Sequence, residues 1–252
     1  MTDFLHTLAY TAAKRWYVVV FLLSYLGIAS FHWGWKRTLK LLVLGYFIAW
    51  ASEASSIRNG FPYGDYTYRY ESMAGEIFLA GVPVWDSLSY VFLSFSGYMA
   101  ALFLRSRWHR YTPLQELQSS WKTVLGGALL TMILDMVIDP VANQGEKWFL
   151  GDIYFYPHGG LYFGVPLSNF AGWFLTALAI LAAFRLSDSL KGVPRHPASM
   201  GLGTALYLGI YFFNLGITLY IQEYSLAAAA AGWGLLFVWL ARKGRRANPS
   251  FL

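Results

Sequence analysis

Seven apolar stretches alternate with short charged clusters along this chain, each near the roughly 20 residues that cross the hydrocarbon of a bilayer. They are Tyr17–Phe31, Leu39–Ile57, Val82–Leu104, Trp121–Val141, Val165–Leu186, Pro197–Ile221 and Ser225–Leu240. Hydrocarbon offers no partner to a backbone N–H or C=O, so such stretches satisfy their own polar groups as helices. The expected fold is all-α: a polytopic integral membrane bundle of about seven transmembrane helices, with two structured loops on the non-cytoplasmic side. One domain over residues 1–252 accounts for the length. Composition agrees, since 13% of residues are charged against roughly 25% in a soluble domain. The lack of cysteine excludes disulfides, thiolate metal sites and cysteine nucleophiles. The opening segment does not read as a cleavable signal peptide, because Trp33 and Trp35 rather than small residues follow Phe31.

The net charge of +6 is distributed by side. Fourteen basic residues fall on one: Lys36, Arg37, Lys40, Arg105, Arg107, Arg110, Lys122, Arg185, Lys191, Arg195, Arg242, Lys243, Arg245 and Arg246. Five fall on the other: Lys14, Arg15, Arg58, Arg69 and Lys147. The richer side is expected to be cytoplasmic, with the C-terminus inside and the N-terminus outside, in a multi-pass inner-membrane topology. Contact with anionic lipid, not nucleic acid, explains the basic balance.

Both outer loops, 57–82 and 142–164, are rich in Gly, Pro, Tyr and Phe. An aromatic interfacial belt with ordered turns is the plain reading; a lid of short re-entrant pieces that walls a site from water is the sharper one. Gly81-Val82-Pro83 and Gly164-Val165-Pro166 each open a span, with Asp86 or Asn169 three residues after the proline. Glu53 and Asp135 precede those prolines by 30 and 31 residues. This echo predicts a parallel repeat of 39–104 and 121–186.

Glu53, Asp86, Asp135 and Asp139 lie within or at the edge of spans. An ionised carboxylate in hydrocarbon is costly, so such groups face a bundle interior and carry a function. Asp135 and Asp139 share a helix face about 6 Å apart along the axis, and Pro140 is expected to stop or kink the helix there. The plainer roles are an ion pair of Glu53 with Arg58, loop amides bound by Asp86, and a cap at Asp139. His158 reads as structural, and the remaining histidines show no metal spacing. No phosphate-binding or dinucleotide motif occurs.

Paired carboxylates in a dry aromatic pocket suit proton transfer to a poor base: burial and mutual repulsion keep one protonated while its neighbour stays ionised. Protonation of a carbon–carbon double bond gives a carbocation, which aromatic faces stabilise; Trp50, Tyr63, Tyr66, Tyr68, Trp85, Tyr90, Tyr162, Phe163 and Trp173 are the candidates. Water activated by the second carboxylate then adds. Neither metal nor cofactor is needed.

Glu53 followed by Asn59-Gly60-Phe61-Pro62-Tyr63-Gly64-Asp65-Tyr66-Thr67-Tyr68, then Gly81-Val82-Pro83, Leu134-Asp135-Met136-Val137-Ile138-Asp139-Pro140, and Tyr162 through Trp173, resembles the carotenoid biosynthesis membrane protein family over roughly residues 45–186. That family includes carotenoid 1',2'-hydratases of γ-carotene and bacterioruberin type. The resemblance implies cofactor-independent hydration of the terminal double bond of an acyclic carotenoid ψ-end, with membrane lipids and other carotenoid-pathway enzymes as surroundings. Asp135 is then the expected proton donor, with Asp139 or Glu53 as its partner. Asp65, Tyr66 and Asn169 are expected to position water or the acids, and Tyr63, Asp86, Trp50, Tyr162 and Trp173 to line the substrate site. Two other readings share these residues: a proton-initiated isoprenoid cyclase, and a carotenoid or lipid carrier.

Overall fold

In the computed structural model, residues 2–187, 189–191, 196 and 198–246 are described; Arg195 and Pro197 fall outside them. Seven long helices form the bundle among the described residues: α2 (Trp16–Trp33), α3 (Trp35–Asn59), α4 (Val84–Trp108), α6 (Trp121–Ala142), α7 (Leu167–Leu186), α8 (Ser199–Tyr220) and α9 (Tyr224–Arg246). Two shorter ones, α1 (Thr2–Lys14) and α5 (Leu114–Ser119), complete the helical set. Six of the seven are long and apolar enough to cross a membrane by length and composition. The seventh, α3, has the length but carries Lys36, Arg37, Lys40, Glu53 and Arg58.

The expected spans and the observed helices coincide in number, and their edges differ for local reasons. Residues 32–38, expected as a loop, are helical except at Gly34, whose φ of 85° makes a one-residue turn between α2 and α3. That conformation is cheap only for a residue without a Cβ. The Tyr25 hydroxyl donates to Thr38 O at 2.6 Å and closes the corner. Pro140 does not stop α6 at Asp139: the helix runs on to Ala142. Proline in the last turn forfeits one N–H bond and little else, and Asn143 N still reaches Asp139 O at 2.8 Å. α1 was not expected. It leaves Phe4, Leu5 and Leu8 exposed, the pattern of a helix lying in the membrane interface.

α4 is the central helix, buried over most of its length and packed against α2, α3, α6, α7, α8 and α9. Its approach to α6 is backbone to backbone. A Cβ on Gly97 would stand 2.8 Å from Gly127 O, and one on Gly127 2.8 Å from Tyr98 Cα. Small residues give membrane helices this closeness, where dispersion rather than water expulsion holds them together. Gly97→Ala is therefore expected to cost about 1–3 kcal/mol by overpacking, measured as a lowered Tm in detergent.

Successive antiparallel helices put the connections at two ends. At one end His32, fully buried in α2, contacts Ser199 Oγ at 2.6 Å and Gln118 Oε1 at 3.0 Å, and Gln118 donates to Leu190 O. The other end carries both long loops. Within them lie β1 (Thr67–Tyr68), β2 (Phe78–Leu79), β3 (Val82–Pro83) and β4 (Tyr154–Phe155). β2 pairs with β3 as a hairpin, while β1 pairs antiparallel with β4, so a two-stranded ribbon ties the loops together. Arg15, 1% exposed, grips Glu76 of the first loop with two hydrogen bonds of 2.8 and 2.7 Å and lies over the Trp85 ring.

Candidate active site

The loop-bearing end encloses a cavity of about 110 Å³. The expected carboxylates converge on it from three helices: Glu53 at the end of α3, Asp86 in the first turn of α4, and Asp135 and Asp139 in the last two turns of α6. Pro83 and Pro166 stand immediately before α4 and α7, which places Asp86 and Asn169 at the third position of their helices. All four carboxylates point inward.

Their partners come largely from the ribbon. Register aligns Tyr68 with Tyr154 and Thr67 with Phe155. Side chains two apart on a strand share a face, so Tyr66, Tyr68, Tyr154 and Tyr156 all present their rings to the cavity. Tyr66 and Tyr68 donate to Glu53, the latter at 3.1 Å, and Tyr90 of α4 donates from the far side at 3.0 Å. Tyr154 and Tyr156 donate to Asp139. The Tyr68 oxygen also lies 2.5 Å from Asp86 Oδ2, so one hydroxyl hydrogen serves two carboxyl groups. Such sharing favours one of the two being protonated. The ion pair of Glu53 with Arg58 is not formed; Arg58 donates to Ala54 O and Ala80 O.

Asn169 joins the two acids of α6. Its Nδ2 donates to Asp135 Oδ2 at 2.9 Å and to Asp139 Oδ2 at 2.8 Å. Asp139 thus accepts from three side chains. Asp135 accepts from Asn169 alone, and its Oδ1 is buried without a hydrogen-bond partner among the described residues. An ionised oxygen left so would bear the full desolvation cost, whereas a protonated one would not.

Burial, reinforced by the neighbouring carboxylates, holds the phenols of Tyr66, Tyr68, Tyr154 and Tyr156 well above the ordinary tyrosine range. They remain O–H donors wherever the protein is folded. In an alkaline titration these phenols are expected to stay protonated when exposed tyrosines ionise near pH ~10. The unfolded chain ionises first, so their contribution to stability is intact below about pH 10 and lost above it. Phenolate absorbance followed alongside unfolding checks both points.

The other expected site residues divide. Trp173 stacks on Tyr90 with ring centroids 3.9 Å apart and lines the cavity, as does Tyr63, whose hydroxyl meets Thr176 Oγ1 at 2.9 Å. Asp65 is exposed and turned toward Gly60, away from the cavity. Trp50 donates to Leu79 O and clamps the β2–β3 hairpin, and Tyr162 packs on Phe163 and Phe170 behind the lid. Neither lines the cavity. Sequence reasoning missed Tyr154, Tyr156 and the aromatic far wall, which Tyr17, Phe21, Phe92, Trp148 and Phe213 form. The Tyr-x-Tyr spacing common to 66–68 and 154–156 was the available signal. Among the described residues no group of three or more His, Cys, Asp and Glu is placed to hold a metal ion.

Buried acids beside a largely aromatic wall, under a phenolic lid at one end of a helical bundle, define the cavity of this membrane protein. The chain belongs to the carotenoid biosynthesis protein family, whose sequence profile matches residues 14–239. It is also 29% identical, over 160 residues, to the bisanhydrobacterioruberin hydratase of Haloarcula japonica. That alignment takes in 64% of this chain and 49% of the relative, so the chain spans about half the relative's length. No solved structure matches.

Proposed function

We propose that this protein is a carotenoid hydratase that adds water across the terminal 1',2' double bond of an acyclic ψ-end without a cofactor. The observation that supports it best is the inequality of the two acids on α6: Asp139 accepts from three side chains, while Asp135, which also lines the cavity, keeps one buried oxygen without a hydrogen-bond partner among the described residues. Asp135, protonated at Oδ1, delivers its proton to C2', and the double bond's electrons form the new C–H bond. The positive charge falls on C1', a tertiary centre, which the Trp173 ring lining the cavity stabilises. Water attacks C1' and its proton passes to Asp139. Return of that proton from Asp139 to Asp135, one helical turn away, resets the pair. The sum is one water consumed and no net proton.

Asn169 holds both acids at fixed separation, and the tyrosine lid limits water to what the reaction uses. Glu53 and Asp86, joined through Tyr68, form a second acid pair that stabilises the cation by charge. In this reading the end rich in basic residues faces the cytoplasm and the site opens near the opposite surface.

Expression in a host that accumulates an acyclic carotenoid, followed by pigment mass analysis, tests the proposal. A tertiary alcohol one water heavier than the precursor is expected. A product of unchanged mass but altered chromatography would mean cyclisation, and unaltered pigment retained by pure protein would mean a carrier; either result overturns hydration.

A further inference from the structure

An acyclic carotenoid is a long rod, so a polyene reacting at its end in the cavity must leave most of its length elsewhere. Trp148 and Phe213 line the cavity and also a groove on the outer face of the bundle, bounded by the last turns of α8 and the loop after α6. Between Phe212 and Tyr220 the groove follows α8 for about 12 Å. Its floor is open at Gly216, where an added Cβ would meet nothing within 4 Å. Phe149 and Phe212 are 53% and 60% exposed beside it, large apolar side chains turned to the surroundings. Lys147 pairs with Glu223 in the turn between α8 and α9, tying the loop across the groove's outer end.

We infer that this groove is the lateral portal for the polyene: the reacting end enters the cavity between Trp148 and Phe213, and the adjoining part of the chain lies in the groove against Gly216 before passing sideways into the bilayer. The inference rests on the hydratase reading for the identity of its occupant. Its physical basis is continuity, since the same two aromatic side chains wall the cavity and the groove. An apolar substrate dissolved in the bilayer meets α8 sideways and need not cross water, where its exposure would be costly. The groove then selects by chain length, while the cavity selects by end group.

Gly216→Phe fills the groove, and Gly201→Phe, an equal change at an open position in the first turn of the same helix, is the control. The purified variants are titrated with a full-length acyclic carotenoid, read by its absorption shift, and with a short isoprenoid hydrocarbon carrying the same end group, read by competition. Gly216→Phe is expected to weaken the long ligand about tenfold, near 1.4 kcal/mol, and to leave the short one unchanged; Gly201→Phe alters neither. Unchanged binding of the long ligand, or equal loss for both ligands, overturns the portal. Product mass is scored separately on the same samples. Selective loss of binding without any hydrated product would sink the hydratase reading and keep the portal; normal hydration by Gly216→Phe with unaltered affinity would do the reverse.

Discussion

Asp135→Asn is expected to abolish hydration while leaving a folded, membrane-inserted protein. Positioned general acids typically contribute 10²–10⁴-fold, and an alkene offers no easier site of protonation, so the loss should lie near the upper end of that range. The amide is close in size to the acid and can keep an oxygen toward Asn169 Nδ2, now 2.9 Å from Asp135 Oδ2. The substitution therefore removes the proton and little of the packing. Pigment mass analysis together with a thermal unfolding curve separates the two effects. An active Asp135→Asn variant would take this residue out of the chemistry. A variant that fails to fold is answered by Asp135→Glu, which restores a proton at a shifted position and should recover measurable activity.

Asn169→Ala is expected to cost about 10²-fold, through loss of alignment rather than of a reacting group. One amide nitrogen now holds both acids of α6. Without it their mutual repulsion is uncompensated, and one carboxylate swings or takes up a second proton. The pH profile is the diagnostic, because a change in the acids' environment moves its limbs, whereas a purely structural lesion lowers the plateau alone. Residues that act as a unit are also non-additive. Asn169→Ala placed on Asp135→Asn should therefore cost almost nothing more, and full additivity would show that Asn169 works independently of the pair.

How much of this was legible in the sequence depends on range. The helices announced themselves because hydrophobic runs are local, and the four-residue spacing of Asp135 and Asp139 put them on one face before any fold was known. The prolines before α4 and α7 likewise marked where Asp86 and Asn169 would emerge. Contacts across long separations were not legible. The pairing of β1 with β4 joins residues almost ninety apart through two residues on each side, too short for any strand pattern. Without that pairing Tyr154 and Tyr156 look like ordinary interfacial aromatics. The same blindness explains the opposite error at Asp65: an acid flanked by tyrosines and glycines resembles a site residue, yet its place in the turn after α3 aims it outward. Arg15 was counted only as topology, although its buried pairing with Glu76 fastens the N-terminal segment to the lid.

The ribbon that unites the two loops sets the order in which the protein becomes competent. Its strands belong to segments that leave the ribosome far apart in time, and neither can supply all four phenols alone. Until the later strand docks, Tyr154 and Tyr156 cannot reach Asp139. The enclosed site is thus a joint product of both loops, complete only when segments almost ninety residues apart have met.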